Sequence, residues 1–196
     1  MTHNKKQNGC ASDAFSTRPF AGRYVKKTMN NFLKFIISLY LSINLSSGYA
    51  MELPEEIHSK IEILSAQGKS LAESGKHREA TEKFIEALQL LPEPITNWEA
   101  CTRLLVAIGD MNFLQRAYEQ AKIALSDAMH CPNALGNPFI HLRLGQSQFE
   151  LGNKERAADE LSRAYMGAGK EIFEEGDPKY FEFLKTVLKP PANEKW

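Results

Sequence analysis

Along residues 66–92 very small residues alternate with a few large apolar ones: Ala66-Gln67-Gly68-Lys69-Ser70-Leu71, then Gly75, Ala80, Phe84, Ala87 and Pro92. No other feature of the chain restricts its folding so narrowly. Gly68, Ala80 and Ala87 carry almost no side chain, so two antiparallel helices bearing them approach closely, and the larger residues fill the gaps that remain. The order predicts a helix hairpin, with Leu64, Gly68 and Leu71 on a first helix A, Ala80, Phe84 and Ala87 on a second helix B, and Pro92 closing the unit. A single such hairpin cannot bury its apolar faces, so several must stack.

Two further copies are present. Leu105, Gly109, Ala121, Leu125 and Ala128 occupy the equivalent slots of a weaker second unit, in which Asn112 replaces the usual large residue and Pro132 falls one place early. Leu142, Leu144, Gly145, Gly152, Ala157, Leu161 and Ala164 form a strong third, with Phe149 one place past the usual aromatic slot. The key glycines are spaced by 41 and then 36 residues, more than the roughly 34 of an ideal unit, so the extra residues must lie between hairpins. Pro92-Glu93-Pro94-Ile95 and Asn133-Ala134-Leu135-Gly136 carry the turn chemistry for this. Thr96 with Glu99 predicts a capping box, and Asn137 followed by Pro138 an N-cap and first helical residue. Gly176-Asp177-Pro178 marks a stop and restart. A last amphipathic helix, about 179–188, then offers Tyr180, Phe181, Phe183, Leu184 and Val187 as a cap over the apolar face of the final hairpin.

The first unit and its copies resemble the tetratricopeptide repeat (TPR) superfamily over roughly residues 56–168. Residues 136–146, with Ala164-Tyr165-Met166 and Asp177-Pro178-Lys179-Tyr180, are similar to a narrower group of uncharacterised bacterial TPR proteins in which the recognisable domain begins near Met51. The expected fold is an all-α solenoid of three repeats, about 61–94, 98–132 and 138–170, with a C-terminal cap at 178–189. The resemblance implies a non-catalytic module that holds a protein or peptide partner, and some bacterial proteins of this kind are immunity proteins of secreted toxin systems. The subgroup that binds chaperone tails uses lysines and asparagines as a carboxylate clamp. Ser65 and Lys69 stand at two of those positions here, a departure that leaves the activity uncarried.

In such a stack the A helices line the concave wall. The outward positions there are Arg103, Val106, Asp110, Phe113 and Leu114 in the second repeat, and Phe139, Leu142, Arg143, Gln146, Phe149 and Glu150 in the third. Arginine beside aromatic rings is the mixture that binding hot spots favour, so Arg103, Asp110, Phe113, Phe139, Arg143, Gln146 and Glu150 are the candidate partner-binding residues. Phe113, Leu142 and Phe149 have the alternative of packing into the core.

Nothing in the sequence points to catalysis, a metal or a cofactor. There is no Cys-x-x-Cys or His-Glu-x-x-His, the glycines are scattered singly, and His58, His77, His130 and His141 are isolated from one another. Asp159-Glu160 and Glu174-Glu175 read as solvated helix faces.

The net charge of zero hides an asymmetry. Lys5, Lys6, Arg18, Arg23, Lys26, Lys27 and Lys34 against Asp13 give residues 1–50 a balance of +6, leaving −6 on the remainder. An acidic body repels phosphate, which argues against nucleic acid as a partner. Residues 1–28 are polar, basic and aperiodic, the composition of a disordered segment. From Met29 a basic start, an apolar run from Phe35 to Leu45 and the small residues at 48–50 read as an export signal cleaved after Ala50. The run is too short and interrupted for a comfortable membrane span. Met51-Glu52-Leu53-Pro54-Glu55-Glu56 opens the first helix directly and reads as a natural beginning. The expectation is a cytoplasmic chain starting at Met51, with an exported, envelope-associated assembly factor as the alternative, and membrane contact only if 29–50 is a signal or anchor. Cys101 and Cys131 lie at neighbouring ends of the second hairpin, so they are either two free thiols in a reducing cytoplasm or a disulfide in an exported domain.

Overall fold

The three key glycines decide the architecture. In the computed structural model, which describes residues 52–190, a Cβ placed on Gly68 would stand 2.7 Å from the Phe84 ring, one on Gly109 2.6 Å from Leu125, and one on Gly145 2.8 Å from Leu161. Each partner lies 16 residues after its glycine. In every hairpin, helix B therefore presses a large side chain into a notch that only glycine leaves open. Ala80, Ala121 and Ala157, and then Ala87, Ala128 and Ala164, sit at matching offsets and are all fully buried. The three hairpins are consecutive and in register.

The pairs are α1 (Glu55–Glu73) with α2 (His77–Leu88), α3 (Glu99–Leu114) with α4 (Tyr118–Ala128), and α5 (Pro138–Glu150) with α6 (Lys154–Ala168). Short 3-10 turns at Ile95–Asn97 and Lys170–Phe173 precede α3 and α7 (Lys179–Val187). Each helix packs on the next, and α3 also touches α5, so the described residues form an all-α solenoid without strands. The readings made above of residues 1–50 and of a start at Met51 lie outside the described residues.

Every A helix ends in the same turn. The residue seven places after the key glycine is left-handed in all three: Gly75 at φ 73°, Arg116 at φ 60° and Gly152 at φ 81°. At each, paired N–H bonds reach back to the last helical carbonyls: Lys76 to Leu71, Ala117 to Asn112 and Asn153 to Gln148, each at 2.9 Å. This is the Schellman closure, which favours glycine because other residues meet their own Cβ there. Arg116 is the exception, and it belongs to the degenerate repeat.

Asn137 caps α5 as expected, its side chain accepting from the Phe139 N–H at 3.0 Å with Pro138 in the first turn. The capping box expected from Thr96 and Glu99 does not form. The turn at Ile95–Asn97 carries Thr96 away from the helix, Trp98 becomes the N-cap without a side-chain bond, and Glu99 accepts instead from Asn133 Nδ2 at 2.7 Å. Trp98 is anchored by its indole, which donates to the Pro92 carbonyl at 2.7 Å.

At the C-terminal end Tyr180 and Leu184 of α7 are buried with Leu142, Leu161, Ala164 and Phe173. This small cluster is separate from the main core, which runs through the first two repeats to Ile140 and Leu144 of α5, and it closes the apolar face that α5 and α6 would otherwise expose.

Candidate functional groove

Helices α1, α3 and α5 supply the inner wall, and their side chains divide it into two unlike halves. Arg143, on α5, donates through Nε to Asp110 Oδ1 on α3 at 2.6 Å and through Nη1 to Gln146 Oε1 at 2.8 Å. Its guanidinium also lies 4.8 Å from the Phe113 ring centroid and 5.2 Å from that of Phe139. Five of the seven residues picked from the sequence thus form one cluster joining the second and third repeats. The Arg143 and Asp110 side chains are only 18% and 22% exposed, and Gln146 is 1% exposed. Desolvation makes such a pair an internal tie, in which each charge is held by its partner.

Glu150 is likewise engaged from within. Its Oε1 accepts from the Tyr180 hydroxyl at 2.7 Å and pairs with Lys179 Nζ at 2.8 Å, both from α7. Partial burial raises the Glu150 carboxyl, but the hydrogen bonds from Lys179 and Tyr180 outweigh it and hold the group below its ordinary range. Burial, and then the same carboxylate, push the Tyr180 phenol up, and the bonds to Glu150 and Asp177 raise Lys179. The Tyr180 ring stands 6.4 Å from Phe113 and 5.5 Å from Phe149, so an aromatic chain links the cap helix to both repeats. Leu142 is buried, and Phe113 and Phe149 are partly buried against the same cluster.

The other half is open. Arg103 has a side chain 61% exposed and pairs with Glu62 of α1 at 2.8 Å, a surface bridge of small net worth. Beside it lies a cavity of about 690 Å³ between the first turns of α1 and α3, with Leu53, Trp98, Ala100 and Pro132 giving it apolar surface and Glu52, Glu55, His58 and Glu99 giving it polar groups. Leu114, the last residue of α3, is exposed.

Some residues that shape the groove and its surroundings escaped sequence reasoning. Glu62 holds the same repeat position as Arg103, so the register itself could have found it. Tyr180 and Lys179 had no such signal, because α7 lies outside the repeat numbering. Glu160, read above as part of a solvated face, is instead mostly buried and meets His141 Nδ1 at 2.6 Å. His141 stands four residues before Gly145, the slot held by Leu64 and Leu105 in the other units, so a polar pair replaces an apolar contact there. Among the described residues no group of three or more His, Cys, Asp or Glu is arranged to hold a metal ion, and no helix is long and apolar enough to cross a membrane.

Three registered hairpins, a shared left-handed turn and a concave wall of A helices define a tetratricopeptide-type helical solenoid. Among solved structures the chain is similar to the type III secretion chaperone SycD of Yersinia enterocolitica, solved in complex with a peptide of the translocator YopD, at 18% identity and a TM-score of 0.53, covering 65% of this chain and 92% of that one. PcrH from Pseudomonas aeruginosa is similar at 19% identity and a TM-score of 0.52, covering 72% and 98%. These likenesses concern the fold. The sequence itself matches no family model and no curated protein.

Proposed function

We propose that this chain is a non-catalytic adaptor that holds a protein or peptide partner in the N-terminal half of its groove. The observation that carries this is the contrast between the halves: Arg143, Asp110, Gln146 and Glu150 are spent on internal contacts, whereas Arg103, Glu62 and the cavity beside them face solvent. The peptide-bound SycD, which has a similar fold, supports the reading by analogy. The net charge of −6 on residues 51–196 argues against nucleic acid as the partner. Affinity capture with the full chain tests it. A partner recovered by the native protein should be lost with Arg103→Glu and retained with Glu82→Lys on helix B. Equal recovery with both variants would place the site elsewhere.

A second reading, export to an oxidising compartment, is favoured by the pairing of Cys101 with Cys131, since disulfides persist in such compartments. Fractionating cells that express the full chain tests it: a protein recovered outside the cytoplasm with its disulfide intact agrees with export, and a protein confined to the cytoplasm with free thiols overturns it.

A further inference from the structure

The second hairpin is held at its open end in a way its neighbours are not. Three links lie side by side between the start of α3 and the loop after α4. Cys101 joins Cys131 across 30 residues with their Cα atoms 6.1 Å apart, the Thr102 hydroxyl donates to the Pro132 carbonyl, and Asn133 donates to Glu99 at 2.7 Å. The Cα separation falls inside the window for a disulfide. Lys60 and Leu90 stand at the corresponding positions of the first repeat, and Asn137 and Gly167 at those of the third, so the sulfur link is confined to the unit whose repeat pattern is weakest. Both cysteines are buried, Cys131 slightly less so than Cys101. Their chain neighbours Ala100 and Pro132 both line the open cavity of the groove. A change in the distance between the two sulfurs therefore moves two walls of that cavity relative to each other.

We infer that the Cys101–Cys131 pair is a redox-controlled clasp on the binding groove. It rests on the adaptor reading for its purpose, though not for its chemistry. In the oxidised state the clasp holds the first turn of α3 against the Pro132 loop and sets the shape of the cavity. In the reduced state the hydrogen bonds from Thr102 and Asn133 keep the loop attached, but the loop moves and the cavity loses its fixed walls.

Closing converts two thiols and one molecule of oxidised glutathione into the protein disulfide and two molecules of reduced glutathione. Opening starts with attack by a glutathione thiolate on Sγ of Cys131, the less buried sulfur. Cys101 leaves as a thiolate and takes up a proton. A second glutathione thiolate then attacks the mixed disulfide, so that oxidised glutathione departs and Cys131 becomes a thiol.

The test uses the full chain carrying Cys10→Ser, which removes the third thiol. The protein is equilibrated with oxidised or reduced glutathione, free thiols are trapped by alkylation and counted by intact mass, and amide hydrogen exchange is followed by mass spectrometry. The expected result is no free thiol in the oxidised buffer and two in the reduced one. Amides of residues 98–104 and 129–136 should exchange at least tenfold faster in the reduced form, with α5, α6 and α7 unchanged. Adding Cys131→Ser should give the fast pattern in both buffers. Two free thiols in the oxidised buffer overturn the proposal. So does a bridge that forms without changing exchange in the two segments, and so does reduction that loosens α1 to α7 alike, which is the behaviour of a global staple. None of these readouts needs a partner, so failure here leaves the adaptor reading standing, and loss of partner capture leaves the clasp standing.

Discussion

The two ends of this solenoid solve the same problem in different ways. Every interior A helix is covered by the B helix before it: Leu104 on α3 is 3% exposed and Ile140 on α5 is 0% exposed. Their counterpart on α1 is Ile63, and it is 59% exposed. Around it the chain has exchanged apolar residues for polar ones. Gln67 and Ser70 are exposed where Ile108 and Met111 are buried on α3. The N-terminal face is thus written for water on α1 itself, whereas the C-terminal face stays apolar and an additional helix covers it. The difference has a functional consequence. A polar face adds no mass to the groove, so the wall between α1 and α3 stays open. The cap helix brings Tyr180 and Lys179 to the inner wall and consumes Glu150.

The contrast breaks most sharply through the buried cap residue. Leu184→Ala should lower stability by about 2–5 kcal/mol, as cavity-forming core substitutions do, measured by urea denaturation. The exposed counterpart Ile63→Ala should stay within about 0.5 kcal/mol of the native protein. Equal effects would mean that the two ends are not closed differently.

The polar attachment of the cap is the next largest effect. Tyr180→Phe removes the bond to Glu150 and leaves a half-buried carboxylate with one donor fewer, so a loss of about 1–2 kcal/mol is expected. The pH dependence follows from the same contact. Because the folded-state Glu150 carboxyl is depressed, its contribution is complete above the unfolded value of about 4.3 and is lost as pH falls through the folded one. Amide protection of α7 should therefore decline below that pH before protection of α1 does. The raised Tyr180 and Lys179 groups work in the opposite direction. Their contributions are complete below about pH 10 and are lost as pH rises further. Loosening of α1 before α7 in acid would contradict the comparison.

A smaller effect is expected between the ends. Arg116 occupies the left-handed turn that Gly75 and Gly152 occupy in the flanking repeats. Arg116→Gly should raise the thermal midpoint modestly, by relief of up to about 1 kcal/mol of backbone strain offset in part by the entropy glycine gains when unfolded. The converse, Gly152→Arg, should destabilise by a similar amount.

Much of this was legible before any coordinates. The matching of Gly68, Gly109 and Gly145 to Phe84, Leu125 and Leu161 could be read directly, because close helix approach demands a missing side chain at one place and a large one at a fixed distance along the chain. The Asn137-Pro138 start was readable for a similar reason, since a cap is a contact between residues two places apart. The Thr96–Glu99 box used the same kind of signal and failed. Trp98 binding back to the Pro92 carbonyl imposes a different path on the segment, and that contact is not written in the spacing of the box. Arg143 was chosen because its repeat position faces the inner wall, but its four internal partners come from three separate stretches of two helices, and no local pattern announces that its charge is already matched.

The linear order of residues determined by itself the hairpin repeat, its register, the turns between helices and the need for a cap, because each depends on side-chain size or backbone freedom at short and regular separations. Which part of the groove remains free was decided only by the tertiary structure. That outcome depends on where α7 lands and on which charges meet across helices, and both are set by packing between elements far apart in the chain.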